Sequence, residues 1–576
     1  MPLLFFIFVV SENNFMTTTN QEMSWWKTAT IYQIYPKSFC DSGDKGTGDL
    51  QGIISKLDYL QHLGVDAIWL TPVYQSPMVD NGYDISDYYA INPEFGTMAD
   101  FDALLTQAHE RGIRIIMDIV VNHTSTEHHW FQSALGDKNS PYRDYYIWKD
   151  PLDGGVPNNW QSKFGGSAWA LDEKTGQYYL HLFAKEQADL NWENPAVREE
   201  VKQVIRFWAE KGVDGFRLDV INLISKQQDF CSDDIGDGRR FYTDGPRVHE
   251  YLQEISAEVF QQYGSVTVGE MSSTTLEHCQ RYSSLDGKEL SMVFNFHHLK
   301  VDYPNGEKWT KAPFDFLQLK QIFNHWQTGL NGKGWGAIFW CNHDQPRIVS
   351  RLGDDQRYRV ESAKMLAASV HMLQGTPYVY QGEEIGMTNP GYRHIEQYRD
   401  VESTNMYQIM VQQQGVSHEE MMAILAQKSR DNSRTPMQWD GSENAGFTRG
   451  KPWLDVASNY PEVNAQAAVA DLGSVFYFYK RLIELRKQVA VITDGDYLDL
   501  LPEHKQVFAY LRRNAKQQLI CINNYYGVDT ECVLPSDLAM QQAKCLLSNY
   551  QNVASAMASH HQILRPYETR ILLIEC

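Results

Sequence analysis

The chain has 576 residues, 43% hydrophobic and 21% charged, which excludes a fibrous or disordered protein and exceeds what one core serves, so two or three domains are expected. A formal charge of −21 argues against nucleic acid and membranes as partners, and any anionic substrate must find a local basic pocket. The 8 cysteines show no CxxC spacing, which leaves zinc ligation and thioredoxin-like chemistry without support and predicts reduced thiols in a cytoplasmic protein.

The first ten residues, MPLLFFIFVV, are too short to span a bilayer and lack the basic start and cleavage site of a secretory signal. Residues 1–23 therefore read as a non-native or disordered extension, with translation starting at Met16 or Met23 and a signal peptide as the alternative. Beyond it, β-rich runs at 31–39, 65–73, 113–123, 213–222, 266–271, 291–297, 335–343 and 376–387 alternate with helical patterns. Near-continuous Val, Ile, Phe and Trp in these runs suits parallel strands buried on both faces. The helical stretch 50–64 places Leu50, Ile53, Ile54, Leu57 and Leu60 on one stripe and ends at Gly64, a fitting C′ residue. Stretches 101–112 and 195–212 also end in glycine, and the second begins with Pro195.

Eight strands, each leading to a helix, predict an α/β fold: a TIM (β/α)₈ barrel over 24–123 and 191–490. Between them, 124–190 is too long for a bare loop and predicts a small inserted domain after strand 3. From 491 to 576, short alternating strands separated by turn signals predict a C-terminal antiparallel β-sandwich.

Chemistry in such a barrel gathers at the C-terminal strand ends. Strand 3 ends in Asp118 and His123, strand 4 carries Arg217 and Asp219, strand 5 ends at Glu270, strand 7 ends in His343 and Asp344, and strand 2 leads to Tyr83 and Asp84. One such carboxylate is an ordinary helix cap or ion pair; four strands ending this way around one rim point to catalysis. A carboxylate pair supplies the nucleophile and the proton donor that glycoside cleavage needs. Arg217, two residues before Asp219 on one strand, points to the same side and holds it ionised. Glu270, under a covering domain, suits the acid.

The segments DIVVNH, GFRLDV, the GE of VTVGEM, and CNHD resemble, in order and spacing, the four signature regions of the α-amylase superfamily, glycoside hydrolase family 13. The resemblance implies a retaining double displacement without a cofactor. Asp219 would form the glycosyl-enzyme, Glu270 would act as acid and then base, Asp344 would grip the sugar hydroxyls, and His123 and His343 would bind the same glucose. EQADLNWENP (186–195), with Ala188 in place of a proline, and DNSRTPMQWD (431–440) resemble the oligo-1,6-glucosidase branch, as does Val220 after the nucleophile. That branch implies an Arg434–Asp84 pair closing the pocket around a terminal glucose.

Two stretches, 269–282 and 295–310, resemble those members of the branch that hydrolyse α,α-trehalose 6-phosphate to glucose and glucose 6-phosphate. The small-molecule partner implied is a phosphorylated disaccharide. Both stretches edge the leaving-group side and carry Arg281, His297, His298, Lys300 and Lys308, candidates for the phosphate. The alternatives are an oligo-1,6-glucosidase, a transglycosylating isomerase, or a non-catalytic barrel subunit, which would show a transmembrane helix and eroded catalytic positions. Relatives often hold calcium after strand 1; here Gly43 and Lys45 stand where ligands belong beside Asp41 and Asp49, so no metal is expected. A monomer is the default expectation for the oligomeric state.

Overall fold

The computed structural model describes residues 24–551 and 559–576; the expectation for residues 1–23 lies outside them. Eight parallel strands close into a barrel: β1 (Ile31–Ile34), β2 (Ala67–Leu70), β3 (Arg114–Ile119), β4 (Gly215–Leu218), β5 (Val266–Glu270), β6 (Met292–Phe294), β7 (Gly336–Ile338) and β8 (Thr376–Tyr380). They pair in chain order, and β8 returns to β1 through Ile31 and Tyr378. Each strand leads to a barrel helix: α1 (Leu57–Leu63), α2 (Met98–Glu110), α3 (Pro195–Glu210), α4 (Val248–Ile255), α5 (Leu276–Tyr282), α6 (Phe316–Leu330), α7 (Arg359–His371) and α8 (Val475–Gln488). Ile31, Ile68, Ile115, Phe216, Val293 and their neighbours are buried between the barrel interior and this helical ring, as the apolar runs require.

The expected single helix over 50–64 is broken. A short helix Leu50–Ile54 precedes α1, and the Ser55 hydroxyl donates back to the Gly52 carbonyl at 2.6 Å. Gly52 also packs so closely that a Cβ there would lie 1.9 Å from the Cys40 carbonyl oxygen. Gly64 closes α1 in the left-handed conformation, φ 96°. Thr97 and Asp100 form a capping box on α2, and Asn194 with Pro195 starts α3.

Between β3 and α3, strand His123–Ser125 pairs with Gln187–Asp189, and Trp148–Lys149, Gln177–Leu180 and Trp169–Asp172 form a three-stranded antiparallel sheet. Its apolar cluster of Trp160, Trp169, Leu180 and Leu182 is shared with Val220, Leu223 and Tyr242 from the segment after β4. A buried ion pair, Lys226 Nζ to Asp189 at 2.8 Å, fastens the two. The inserted segment is thereby held over the rim where β3, β4 and β5 end.

After α8, strands Asp496–Asp499, Val507–Arg513, Gln517–Asn524, Thr569–Glu575 and Lys544–Ser548 form one antiparallel sheet, and Thr530–Val533 with His561–Leu564 form a second. Val507, Ala509, Ile520, Ile522, Leu564 and Leu572 fill the space between them. The opposite face packs on the barrel: Phe508 stacks on Phe323 of α6 at 5.6 Å, and the Tyr510 hydroxyl donates to the Ser369 carbonyl of α7 at 3.0 Å. Among the described residues, no helix is long and apolar enough to cross a membrane, and all eight cysteines are free.

Candidate active site

Asp118, Arg217, Asp219 and Glu270 meet at the ends of β3, β4 and β5. Arg217 Nη1 lies 2.9 Å from Asp118 Oδ1 and 2.5 Å from Asp219 Oδ1, while Nη2 pairs with Glu270. The second oxygen of Asp118 accepts from Trp69 Nε1 at 3.2 Å and from the Tyr83 hydroxyl at 3.0 Å. Three carboxyls around one guanidinium in a buried site cannot all ionise at the ordinary pH. Burial pushes Asp219 up to about 6 against the pull of Arg217, and pushes Glu270 up to about 8, with Asp219 adding to the rise.

The Asp219 and Glu270 carboxyls share the Arg217 guanidinium and each perturbs the other, so they titrate as a pair. At neutral pH the pair holds one ionised and one protonated carboxyl, the division that nucleophile and acid require. Val220, directly after Asp219, takes φ 36°, rare for a β-branched residue, and its N–H faces Glu270 at 3.4 Å. Such strain costs about 1–3 kcal/mol and is held here by the packing of Val220 into the apolar cluster of the insert.

His343 and Asp344 follow β7. The Gln33 amide donates to His343 Nδ1 at 2.8 Å, leaving the Nε2 proton directed at Asp344 Oδ2, 3.2 Å away. The imidazole lies flat on Tyr83, centroids 5.2 Å apart and planes 1° apart. Burial pushes His343 down to about 3, so it is neutral. Burial alone would raise Asp344, but the Nε2 proton of His343 and the charges of Arg430 and Arg434 hold it far below the usual carboxylate range. His123 is buried behind Tyr83, its Nε2 3.1 Å from the Tyr83 carbonyl.

Arg434 does not reach Asp84. Its Nη2 bonds Asp344 at 2.8 Å and its Nε donates to the His343 carbonyl at 2.8 Å. The turn through Asn81 (φ 49°) and Gly82 (φ 103°) folds Asp84 back, where it accepts from the Val79 and Asp80 N–H groups at 2.8 and 3.0 Å. Asp80 takes the facing position: Arg430 Nη2 lies 3.3 Å from Asp80 and 2.5 Å from Asp400, while Nη1 lies 3.2 Å from Asp344. Asp80 and Arg430 were missed in the sequence reading, although one borders NGYD and the other DNSR.

Glu270, Asp344 and Arg430 open onto a cavity of about 320 Å³ whose wall carries Lys163, Arg239, Lys300 and Lys308. Lys308 is neutralised by Glu402 at 2.6 Å and Arg239 pairs with Asp237 at 3.0 Å. Among the described residues, Lys163 and Lys300 have no carboxylate partner. Lys163 instead donates to the Ser272 hydroxyl at 3.1 Å.

Three of the five phosphate candidates, Arg281, His297 and His298, do not line this cavity. Arg281 sits on the outer side of α5, its side chain 60% exposed and 4.0 Å from Glu289. The short turn His297–Leu299 buries His298 in the barrel wall, where it donates to the Phe339 carbonyl at 2.8 Å, and packs a half-buried His297 on Trp326. Burial pushes both imidazoles down to about 4, so neither offers charge to an anion at neutral pH. Lys163 and Arg239 were not picked out, since they come from irregular segments without periodic pattern.

In the loop after β1, Asp41 accepts from the Gly43 and Gly46 N–H groups at 2.8 and 2.9 Å and from Thr448 Oγ1 at 2.6 Å. Asp49 accepts from Gly52 N–H at 2.7 Å and Ser42 Oγ at 2.8 Å. Protein donors thus contact both oxygens of each carboxylate.

The family model described as "Alpha amylase, catalytic domain" matches residues 33–495. The chain is 62% identical over 500 residues to the trehalose-6-phosphate hydrolase of Escherichia coli (strain K12), covering 87% of this chain and 90% of that one. It is 59% identical over 553 residues to the trehalose-6-phosphate hydrolase of Bacillus subtilis (strain 168), covering 95% and 98%. The crystal structure of Bacillus licheniformis trehalose-6-phosphate hydrolase matches with a TM-score of 0.92 at 59% identity, over 96% of this chain and 100% of that one.

Proposed function

The chain belongs to the α-amylase family, and on that premise we propose that it hydrolyses α,α-trehalose 6-phosphate to glucose and glucose 6-phosphate with retention. The unphosphorylated glucose enters the pocket formed by Tyr83, His123, His343 and Asp344, which the Asp80–Arg430 pair closes at its far end. Asp219 attacks the anomeric carbon while Glu270 gives its proton to the glycosidic oxygen, and glucose 6-phosphate leaves. Glu270, now ionised, takes a proton from water, which attacks the same carbon, frees glucose and restores Asp219. Asp344, kept ionised by its arginines, accepts from sugar hydroxyls and stabilises positive charge developing on the ring.

One observation carries the substrate assignment: a chain of charge −21 keeps two lysines, Lys163 and Lys300, in the cavity beside Glu270 without carboxylate partners. A leaving-sugar phosphate supplies the missing anion, and Arg239 adds a third donor set. Charge-assisted contacts contribute about 1.5–3 kcal/mol each. Two such contacts separate phosphorylated from plain disaccharide by about 10²–10⁴ in kcat/KM. The test compares kcat/KM for trehalose 6-phosphate, trehalose and isomaltose. Preference for the phosphorylated sugar supports the assignment; equal rates on trehalose and its phosphate overturn it, and preference for isomaltose makes the chain an oligo-1,6-glucosidase. Eight free thiols support a cytoplasmic setting, where an intracellular sugar phosphate would be met.

A further inference from the structure

The geometry points to Lys163 as a positioning residue that registers the substrate phosphate on the turn carrying Glu270, through the hydroxyl of Ser272. This inference rests on the phosphorylated substrate proposed above. Lys163 belongs to the segment inserted after β3 and is anchored there by its N–H, which donates to the Leu182 carbonyl at 2.9 Å. Its Nζ crosses to the β5 side and donates to Ser272 Oγ at 3.1 Å, two residues beyond Glu270.

The Ser272 turn is gripped from the nucleophile's side as well. Asn222, three residues after Asp219, accepts from the Ser272 N–H and donates to the Ser272 carbonyl, each at 2.9 Å. Ser273 follows with φ 56°, in the left-handed region, so the turn adopts a conformation that its neighbours must hold. One short peptide segment therefore connects the cavity cation, the acid/base and the segment after the nucleophile.

Lys163 faces Arg239, Lys300, Asp237, Glu270 and the ring of Tyr242. Burial, with Arg239 beside it, pulls its ammonium down to about 7. Without an anion in the cavity it is divided between charged and neutral forms. A phosphate in the cavity stabilises the charged form and strengthens its donation to Ser272. Binding energy from a remote part of the substrate then acts on the position of Glu270, which raises kcat as well as lowering KM.

The test measures kcat and KM of full-length Lys163→Met, Lys163→Arg, Ser272→Ala and Lys300→Ala proteins on trehalose 6-phosphate and on trehalose. Lys163→Met is expected to lower kcat on the phosphorylated sugar by about 10-fold or more. Lys163→Arg recovers most of that loss, which separates the charge from folding, and Ser272→Ala lowers kcat with KM little changed. A Lys163→Met protein with raised KM and unchanged kcat overturns the inference, as does a loss that Lys163→Arg fails to recover. If Lys300→Ala lowers the preference for the phosphorylated sugar while the Lys163 variants leave it intact, this inference fails and the substrate assignment stands. If the unmodified protein treats both sugars alike, the assignment itself fails.

Discussion

Arg217 Nη1 stands 2.5 Å from Asp219 Oδ1, two residues apart in sequence, and the same guanidinium holds Glu270 through its other terminal nitrogen. One cation thus balances both carboxyls of the proposed catalytic pair. Replacing Asp219 by Asn removes the proposed nucleophile, and kcat is expected to fall by about 10⁴-fold or more. Glu270→Gln is expected to lower kcat by about 10²–10⁴-fold on the disaccharide phosphate. The loss should be smaller for glycosyl-enzyme formation from p-nitrophenyl α-glucoside, whose leaving group departs without a proton. Pre-steady-state release of nitrophenol measures this step; equal losses on both substrates would take the acid role from Glu270.

The two carboxyls also set the pH profile. Asp219, near 6, must be ionised and Glu270, near 8, must be protonated, so kcat/KM falls below the first value and above the second. The profile is best taken on trehalose, whose leaving sugar needs the proton from Glu270 and which carries no phosphate to titrate. The alkaline limb for glycosyl-enzyme formation should disappear in Glu270→Gln. Its survival would assign that ionisation to another group.

Stability should run opposite to activity here. Glu270 is raised in the folded chain from an ordinary 4.5 to about 8, so its contribution is fully present below the ordinary value and is lost as pH rises through the folded one. Gln at this position cannot ionise and relieves Arg217 of one of its three carboxyls. The expected result is a Tm above that of the parent at pH 8, with the difference shrinking towards pH 4. A lower Tm at pH 8 would mean that the Arg217–Glu270 pair outweighs the burial of its charge.

The barrel was legible because its strands are buried on both faces and leave uninterrupted apolar runs, and because glycines such as Gly64 close the helices between them. That Asp118, Arg217, Asp219, Glu270 and Asp344 share a rim was legible for a related reason: strand ends are fixed by the sheet whatever the loops do. The loops were not. The turn at Asn81 and Gly82 decides that Asp80, not Asp84, faces the arginines, and side-chain chemistry alone is blind to that backbone reversal. His297 and His298 look like anion ligands by residue type, yet the turn they occupy buries His298 in the barrel wall and packs a half-buried His297 on Trp326. Lys163 is brought to the cavity by an inserted segment more than a hundred residues earlier in the chain than Lys300 and Lys308.

That reversal separates two neighbouring aspartates experimentally. Asp84 is fully buried and accepts two backbone N–H bonds within its own turn, so Asp84→Ala leaves both donors unmatched. Charge-assisted bonds of this kind contribute about 1.5–3 kcal/mol each, and a clear fall in Tm is expected. Asp80 accepts from Gln187 Nε2 at 3.1 Å and pairs with Arg430 at 3.3 Å; an Asn side chain can still accept from Gln187, and Arg430 keeps Asp400 and Asp344 as partners. Asp80→Asn should therefore disturb Tm little while raising KM for trehalose 6-phosphate, trehalose and p-nitrophenyl α-glucoside alike, because all three place a glucose against the closed end. Arg430→Lys should do the same, since an ammonium cannot span three carboxylates as the planar guanidinium does. If Asp84→Ala raised KM without lowering Tm, and Asp80→Asn left KM unchanged, the pocket would instead be closed by the Asp84–Arg434 pair that the resemblance to the oligo-1,6-glucosidase branch implies.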